Sequence, residues 1–211
     1  MASQPKLQTQ TDESCQPQGP LTKASWQARY DEGKTGWDRG QPSPMFSRWI
    51  DQGTLRPCRV LVPGCGRGHE VIAMAALGFD VTAVDFADTA VQTLQAELQT
   101  RNLQAKVIQS DLFEFHPPEA FDAIYEQTCL CAVHPSQWAT YHESLVRWLR
   151  PGGNLFALFM QTEATQGPPF SCDLDKMQIL FRSHHWQWPT EHDRVDHPMG
   201  IYELACVLTR L

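Results

Sequence analysis

A glycine-rich turn follows the first apolar run of the chain. Residues 59–62 (Arg-Val-Leu-Val) are followed by residues 63–68 (Pro-Gly-Cys-Gly-Arg-Gly). Because glycine lacks a Cβ, the backbone around Gly64, Cys65 and Gly66 can turn sharply and let a ligand approach its amide groups. The helix expected next would point its N-terminal N–H groups at the same place, which suits a carboxylate or a phosphate. The turn therefore predicts a ligand site.

Side chains that suit a nucleoside follow the next apolar runs. After the second run comes Asp85, whose carboxylate can accept hydrogen bonds from two ribose hydroxyls. After the third come Asp111 and Leu112, an acceptor and an apolar neighbour that could hold an adenine. After the fourth come Glu126, Gln127 and Thr128. Asp111 alone could be only a helix cap, but the loops together predict one nucleoside-cofactor site.

The spacing of the glycines separates two kinds of nucleoside cofactor. A dinucleotide-binding turn has the pattern Gly-x-Gly-x-x-Gly, in which the third glycine permits close packing of helix on strand. Here His69 takes the sixth position, and the third glycine, Gly68, comes one residue early. The turn therefore fits NAD poorly and fits S-adenosylmethionine, which has no pyrophosphate. A nicotinamide-dependent oxidoreductase stays an alternative.

Alternating strands and helices are predicted to position these residues. Strands are expected over residues 59–62, 79–86, 106–108, 121–125, 154–160 and 201–211, and helices over 69–77, 87–102, 137–149 and 173–181. Such alternation specifies an α/β fold with a mainly parallel sheet and helices on both faces. The helix-poor stretch 184–211 predicts a terminal hairpin and an antiparallel last strand. In such a sheet, ligands bind beyond the carboxyl ends of the strands, where the residues above are placed.

Two segments precede this alternating pattern. Residues 1–23 are rich in Gln and Pro and are predicted to form a disordered tail. Residues 24–57 carry five aromatic side chains around a centre rich in Gly and Pro. Such side chains need a surface to pack on. This N-terminal arm is therefore expected to lie across the main domain, residues 58–211, and to form no core of its own.

Charge and hydropathy argue against several classes of protein. The chain has 17 Lys and Arg against 24 Asp and Glu, a net charge of −7, whereas proteins that bind a phosphate backbone usually carry the opposite sign. No apolar run reaches the roughly 20 residues that span a bilayer, and the first residues do not resemble a signal peptide. We therefore expect a cytoplasmic protein with neither a nucleic acid nor a membrane as partner. The sequence does not indicate the oligomeric state, and a monomer is the default expectation.

The cysteine pattern argues against a disulfide scaffold and a metal centre. The seven cysteines are an odd number and include no Cys-x-x-Cys pair, which is typical of reduced and mostly buried thiols. The densest cluster is Cys129, Cys131 and His134, and its spacing matches no common zinc pattern. No metal is expected.

Four segments together resemble one family. They are residues 26–40, with Trp26, Tyr30 and the run Trp37-Asp38-Arg39-Gly40; residues 61–69, with Val-Pro-Gly-Cys-Gly; residues 111–113; and residues 167–170. From about Trp26 to the C-terminus the chain resembles the thiopurine S-methyltransferase family, which includes plant halide/thiol methyltransferases. It departs from the plant members at Tyr30, where they usually have Trp, and at Glu126-Gln127, which replaces Asp-Tyr.

The resemblance implies a fold, a cofactor and contacts. The fold is the Rossmann-like class I methyltransferase fold, with seven strands and an antiparallel last strand. The cofactor is S-adenosylmethionine, with S-adenosylhomocysteine as product. The resemblance places at the cofactor Trp37, Gly64, Asp85, Asp111 and Leu112, with Trp26, Tyr30 and Gln127 as additions.

The implied reaction is methyl transfer to a small, soft nucleophile. The acceptor could be a thiol or thiopurine, or a halide, selenium or tellurium species; an oxygen or nitrogen acceptor and a cofactor-binding protein without catalysis stay open. A thiol needs no strong base, because its pKa of roughly 8.5 leaves some thiolate near neutrality. The candidate residues on the acceptor side are Glu126, Thr128 and Cys129 with the 162–170 loop, and Glu126 and Thr128 are the candidate catalytic residues. Glu126 could orient the acceptor or assist its deprotonation, and it could equally hold the amino group of the cofactor or neutralise Arg39. The arm is expected to close over the cofactor and exclude water.

Overall fold

The computed structural model describes residues 19–164 and 166–211. Most of the predicted disordered tail, residues 1–18, lies outside the described residues. The first helix begins at Lys23, where the Thr22 hydroxyl accepts a hydrogen bond from the Ser25 amide and caps the helix. None of the helices in the two described ranges is long and apolar enough to cross a bilayer.

The sheet is mainly parallel, as the alternating pattern predicted. Its strands are β1 (Arg59–Pro63), β2 (Asp80–Asp85), β3 (Lys106–Gln109), β4 (Phe121–Gln127), β5 (Leu149–Gln161), β6 (Trp186–Gln187), β7 (Asp193–Asp196) and β8 (Tyr202–Arg210). The order across the sheet is β3-β2-β1-β4-β5-β8-β6, with β7 also paired to β8. The pairs from β3 to β5 are parallel, and β8 is antiparallel to β5.

Eight strands in the described ranges occupy seven positions across this sheet. The short strands β6 and β7 lie on the same edge of β8, one against its last residues and the other against its first. The predicted terminal hairpin is confirmed in this form, with β8 as the long antiparallel strand. β5 begins at Leu149, five residues before the predicted start, because Leu149 pairs with Phe121 ahead of a register shift in β4.

Helices cover both faces of the sheet. They are α1 (Lys23–Asp31), α2 (Pro44–Asp51), α3 (His69–Ala76), α4 (Asp88–Thr100), α5 (Trp138–Trp148) and α6 (Leu174–Leu180). The two faces have separate cores: Leu61, Ile124 and Leu155 pack on one side with α5, and Val60, Tyr125 and Phe156 pack on the other with α2 and α3. Because successive residues of a strand point to opposite faces, both cores are built from the same strands.

The N-terminal arm contributes to a core that the strands also build. In α2 the side chains of Met45, Phe46 and Trp49 are buried and join the cluster on the Tyr125 face of the sheet. The Trp49 ring lies 5.1 Å from the Phe156 ring. The first half of the arm packs differently, because α1 lies against α4 at the edge of the sheet. The structure thus divides the arm into a core helix and an outer helix, joined by residues 32–43.

Candidate active site

A cavity of about 260 Å³ opens at the carboxyl ends of the parallel strands. Residues from six regions line it: the arm, the glycine turn, the ends of β2 and β3, the segment after β4, the end of β5 with the 168–169 segment, and the β7–β8 turn. The predicted residues that it brings together are Trp26, Tyr30, Trp37, Gly64, Gly66, Asp85, Asp111, Leu112 and Thr128. Cys65 and Gln127 instead line an adjoining recess of about 60 Å³, which also includes Gly64, Gly66, Trp37 and Thr128.

The glycine turn forms one wall of both spaces. Gly64 has φ +56°, and a Cβ built on it would lie 2.7 Å from the Cys129 Sγ, so a side chain there would clash as well as strain the backbone. Gly66 has φ +53°, and the nearest atom to a Cβ there is the Tyr30 hydroxyl at 3.4 Å. The backbone is therefore exposed to the cavity at Gly66 and closely packed behind it at Gly64.

Asp85 ends β2 with its carboxylate held by two backbone amides. Its Oδ2 accepts from the Gly66 amide at 2.9 Å, and its Oδ1 accepts from the Ala87 amide at 2.9 Å. Burial raises the pKa of this carboxyl, and the Ala87 and Gly66 amides act in the opposite direction. An ionised carboxylate has about four acceptor positions, so two remain for a ligand such as a vicinal diol. The geometry fits the predicted contact with a ribose.

Asp111 caps a short 3-10 helix and also lines the cavity. Its Oδ1 accepts from the Phe113 amide at 2.9 Å at the start of the turn Leu112–Glu114. The second carboxylate oxygen has no hydrogen-bond partner among the residues that the structure describes. Leu112 lines the cavity beside it. Asp111 can therefore cap the 3-10 helix with one oxygen and offer the other oxygen to a ligand.

The arm supplies an aromatic wall opposite the sheet. Trp37 lies between two rings at edge-to-face angles, with Trp26 at 5.4 Å and Tyr30 at 5.6 Å between centroids. Edge-to-face packing is a favoured geometry of aromatic pairs. Burial raises the pKa of the Tyr30 hydroxyl, and the neighbouring Asp85 carboxylate acts in the same direction. Tyr30 therefore contributes a neutral hydroxyl to the wall.

Asp38 fastens the arm to the glycine turn. Its Oδ1 accepts from the Gly40 amide at 2.8 Å and lies 2.8 Å from His69 Nε2, and its Oδ2 lies 3.1 Å from Arg67 Nε. These contacts connect the Trp-Asp-x-Gly run of the arm to Arg67 in the glycine turn and to His69 directly after it. The placement of Trp37 over the cavity therefore depends on the conformation of the glycine turn.

Arg39 forms a buried ion pair that the sequence did not indicate. Its Nη2 lies 2.6 Å from Oε2 of Glu203, whose side chain is fully buried on β8. Its Nη1 donates to the Asp196 carbonyl at 3.0 Å. Burial raises the pKa of Glu203 to about 7, while Arg39 acts against this shift. The pair fixes the arm to the antiparallel end of the sheet.

Gln127 lines the recess together with Arg39 and contacts the buried Glu203. Its Oε1 accepts from the Tyr125 hydroxyl at 3.0 Å, and its Nε2 lies 3.3 Å from Glu203 Oε2. The recess is therefore a polar extension of the cavity, next to the glycine amides. A charged amino-acid group of a ligand would find donors and acceptors there.

Glu126 does not line the cavity, which corrects its predicted contact with the acceptor. Its side chain is 2% exposed, and its Oε1 accepts from the Leu130 amide at 2.6 Å. Burial raises the pKa of Glu126 to about 7, the Leu130 and Cys129 amides lower it, and Glu203 adds to the rise. The physical reason is strand alternation, since Gln127 points to the recess and its neighbour must point to the other face. From that other face, Glu126 holds the segment after β4 through the Leu130 amide.

Thr128 ends β4 at the cavity in a strained conformation. Its φ of +56° lies in the left-handed region, which a β-branched residue rarely adopts and which costs roughly 1–3 kcal/mol. Its hydroxyl donates to the Gln127 carbonyl at 2.7 Å. The conformation turns the chain away from the sheet, so the residues after Thr128 form a wall of the cavity.

Three sulfur-bearing side chains belong to that wall. Cys129, Cys131 and Met160 line the cavity with Pro168 and Pro169, and Met199 lines it from the β7–β8 turn. Burial raises the pKa values of the Cys129 and Cys131 thiols well above their usual range, so both are neutral. Among residues 19–164 and 166–211, no group of three or more His, Cys, Asp or Glu is arranged to hold a metal ion. This end of the cavity is apolar and polarisable.

Taken together, the wall residues fit an adenosyl group with an amino-acid tail. The Asp85 carboxylate suits a ribose, Asp111 and Leu112 suit an adenine, and the recess beside Gly66 suits a charged amino acid. The aromatic wall can interact with a sulfonium through the ring faces. S-adenosylmethionine combines these four groups.

Comparisons with known proteins point to the same chemistry. A family model described as thiopurine S-methyltransferase matches residues 21–201. A probable thiol methyltransferase 2 of Arabidopsis thaliana is 30% identical over 189 residues, which cover 88% of this chain and 77% of the relative. A thiocyanate methyltransferase 1 of Brassica oleracea is 32% identical over 154 residues, 71% of this chain and 68% of the relative.

The fold has solved counterparts. A 1,6-didemethyltoxoflavin-N1-methyltransferase of Burkholderia thailandensis, solved with S-adenosylhomocysteine, superposes with a TM-score of 0.74 at 20% identity. The superposition covers 92% of each chain. At this identity the likeness concerns the fold alone, and it confirms the predicted Rossmann-like class I methyltransferase fold.

Proposed function

Because the chain belongs to the thiopurine S-methyltransferase family, we propose that it methylates the sulfur of a small, apolar thiol. The chain is an S-adenosylmethionine-dependent S-methyltransferase, and S-adenosylhomocysteine is its second product. The proposal concerns the acceptor and the residues that contact it. The alternatives of cofactor binding without catalysis and of a nicotinamide-dependent oxidoreductase have no support in these findings.

The observation that carries the acceptor proposal is the chemistry of the cavity beyond Thr128. Three sulfur-bearing side chains, Cys129, Cys131 and Met160, line that part with two prolines, and the two cysteines are neutral. The sulfur atoms of such a wall attract a polarisable acceptor through dispersion and are themselves only weak hydrogen-bond partners for an alcohol or an amine. A thiol is the acceptor that suits it best.

The other contacts are proposed residue by residue. Asp85 would hold the ribose, Asp111 and Leu112 the adenine, and Tyr30 and Trp37 the adenosyl and sulfonium region. The recess would take the amino-acid portion, with Gly64, Cys65, Gly66 and Gln127 as its walls. Thr128 stands where the two spaces join, so it would position the reacting centre.

The mechanism needs orientation and exclusion of water more than acid–base catalysis. When bound, S-adenosylmethionine supplies an electrophilic methyl group on a positively charged sulfur. The aromatic wall and the apolar residues after β4 exclude water, which favours reaction of an anionic sulfur. A thiol already supplies some thiolate near neutral pH. Glu126 is buried away from the cavity. We therefore propose that it stabilises the segment after β4 and does not deprotonate the acceptor.

Two further features of the acceptor and of the protein belong to the proposal. Halide, selenium and tellurium species share the softness of thiols and would fit the same wall. Among residues 19–164 and 166–211, few large apolar residues are exposed, namely Leu77, Ile179, Met199 and Leu211, which supports a monomer. The neutral buried cysteines suit the reducing cytoplasm.

A matched series of acceptors tests the proposal. The purified protein is incubated with methyl-deuterated S-adenosylmethionine and thiophenol, phenol or aniline, which differ mainly in the nucleophilic atom. Mass spectrometry is expected to show deuterated thioanisole, with the oxygen and nitrogen analogues formed at least roughly 100-fold more slowly, because a thiol supplies more of its anionic, nucleophilic form near neutral pH than a phenol does and aniline is neutral. Iodide and hydrogen sulfide extend the series. Preferred methylation of phenol or aniline, or no methylated sulfur product at all, would refute the proposal.

A further inference from the structure

His134 lines the cavity but has no role in the contacts with the cofactor proposed so far. It lies in the segment after β4, six residues beyond Thr128, and lines the cavity together with Cys131 and Met160. Its ring meets the Phe170 ring edge-to-face at 5.4 Å, and the Phe170 amide donates to the Cys131 carbonyl at 2.7 Å. These contacts join the segment after β4 to the segment after β5. His134 therefore belongs to the acceptor end of the cavity and not to the end formed by β2 and β3.

One ring nitrogen of His134 has a structural function. The Ser136 amide donates to Nδ1 at 3.2 Å, and the Ser136 hydroxyl lies 2.7 Å from the same atom. This arrangement caps the 3-10 helix Pro135–Gln137, which leads into α5. Because an amide N–H can only donate, Nδ1 is an acceptor, and the neutral ring must carry its proton on Nε2. The cap thus sets the tautomer.

The other ring nitrogen is a donor without an assigned partner. Within residues 19–164 and 166–211, Nε2 of His134 makes no hydrogen bond, whereas the neighbouring Trp138 indole donates to the Leu130 and Val133 carbonyls. The segment is further held by Glu126, which accepts from the Leu130 amide. The Ser136 cap, the Phe170 ring and the hydrogen bonds of the surrounding backbone fix the orientation of the His134 ring. The position of its Nε2–H donor is therefore fixed as well. Pre-organised donors of this kind stabilise charge at little reorganisation cost.

We propose that the Nε2–H of His134 donates a hydrogen bond to the acceptor sulfur and holds it as an oriented thiolate. The inference rests on the proposed function, since it concerns the thiol end of the same cavity. His134 transfers no proton: the thiol releases its proton to solvent before the reaction. The acceptor sulfur then forms the new bond to the methyl carbon, while the bond from that carbon to the sulfonium breaks and leaves its electron pair on the departing sulfur. The charges of thiolate and sulfonium cancel in the products.

The chain offers variants that separate the two nitrogens. In His134→Asn, the side-chain oxygen can still cap Ser136, because Asn is among the best N-cap residues, but the distal N–H is lost. In His134→Gln, an amide N–H can reach roughly where Nε2–H lies. His116→Asn is the matched control, since His116 is exposed and lies outside both the cavity and the recess. Thermal unfolding of each variant shows that the fold is retained.

The first measurement is a titration that involves no turnover. Thiophenol is bound in the presence of S-adenosylhomocysteine, and its pKa is followed by the ultraviolet absorption of the thiolate. The wild type and His116→Asn are expected to lower the pKa of the bound thiol by roughly one unit relative to His134→Asn, because a hydrogen bond to a charged group favours the charged form. His134→Gln should recover part of this shift. Equal thiol pKa values in the wild type and His134→Asn would overturn the assignment.

The second measurement is the rate of methyl transfer to thiophenol. His134→Asn is expected to lose roughly 10- to 100-fold in kcat/KM for the thiol, the effect of one hydrogen bond to a charged group. Its affinity for S-adenosylhomocysteine by calorimetry should stay within about twofold, since His134 faces the acceptor. A loss of cofactor affinity as large as the loss in kcat/KM would place His134 at the cofactor and overturn the proposal. A wild type that methylates phenol and no thiol would instead refute the proposed function.

Discussion

The carboxyl group of Glu126 makes the stability of the protein depend on pH. Burial raises its pKa in the folded state to about 7 from an ordinary value of 4.5. A carboxyl whose pKa is raised by folding stabilises the protein fully below its unfolded pKa, and this contribution is lost as the pH rises through the folded pKa. We therefore expect the free energy of unfolding to fall by up to about 3 kcal/mol between pH 4.5 and 7 on account of this group.

The substitution Glu126→Gln tests this prediction. The amide oxygen can still accept from the Leu130 amide, but the side chain no longer titrates. Urea unfolding at a series of pH values should show a shallower decline for Glu126→Gln than for the wild type. The control is Glu143→Gln on the exposed face of α5, which should keep the wild-type slope. Equal slopes in the wild type and Glu126→Gln would mean that Glu126 titrates normally.

The direction of the Glu126 side chain could not be predicted from the local sequence. Glu126, Gln127 and Thr128 follow an apolar run, so all three were candidates for the cavity. In the structure β4 extends to Gln127, and its alternation sends neighbouring side chains to opposite faces. The faces of Glu126 and Gln127 follow directly once the last residue of β4 is known, and the sequence predicted that this strand ends at residue 125. Strand ends are the least certain part of any assignment from sequence.

At the scale of elements, the N-terminal arm is expected to contribute directly to cofactor binding. Residues 19–40 supply Tyr30 and Trp37 to the cavity, and Asp38 and Arg39 fasten them to the glycine turn and to β8. Deletion of residues 1–40 should weaken S-adenosylhomocysteine binding by tenfold or more, since burial of two aromatic side chains is worth at least about 1.4 kcal/mol. Isothermal titration calorimetry measures the affinity.

Two matched chains make the deletion interpretable. Removal of residues 1–18 alone keeps Tyr30 through Arg39 and should leave the affinity unchanged. Removal of residues 1–40 leaves Glu203 buried without its partner, so the deletion is made with Glu203→Gln, and the full-length Glu203→Gln chain is the reference. Unchanged affinity in the shortened chain would reduce the arm to a structural element that fills a groove.

The arm illustrates what can be predicted about an element and what cannot. Its aromatic content predicted packing against the main domain, and the amphipathic helix α2 explains why Trp49 reaches the core beside Phe156. The partner of Arg39 is Glu203, 164 residues further along the chain. No local pattern indicates such a pair, because it depends on the final position of β8. Periodicity predicts that an element exists, but not which distant charge it meets.

At the scale of the whole molecule, the site follows from the direction of the strands. β1 to β5 are parallel, so the residues that follow them meet at one edge although they are spread from Gly64 to Met160. This convergence was predictable from the alternation of strands and helices, and with it the places of Asp85 and Asp111. Thr128, Cys129 and the 162–170 loop were expected on the acceptor side, but the way their side chains form a wall was not predictable, because irregular segments have no periodicity to read. For the same reason, the place of His134 at the cavity and the pairing of Glu203 with Arg39 were found only in the structure.

Because the cofactor site joins the arm to five strand ends, ligand binding should stabilise the whole molecule and not one loop. S-adenosylhomocysteine at 100 times its Kd should add about 2.7 kcal/mol to the free energy of unfolding and raise the Tm by roughly 5–10 °C for a chain of this length. Differential scanning fluorimetry checks the shift.

Asp85→Ala should abolish this shift in Tm at the same ligand concentration, because the variant loses the carboxylate that faces the cavity and holds the Gly66 amide. NAD⁺ should produce no shift, since the glycine spacing leaves His69 where a dinucleotide turn needs glycine. A shift with NAD⁺ and none with S-adenosylhomocysteine would contradict the assignment of the cavity, and an equal shift in Asp85→Ala would contradict the role of this carboxylate alone.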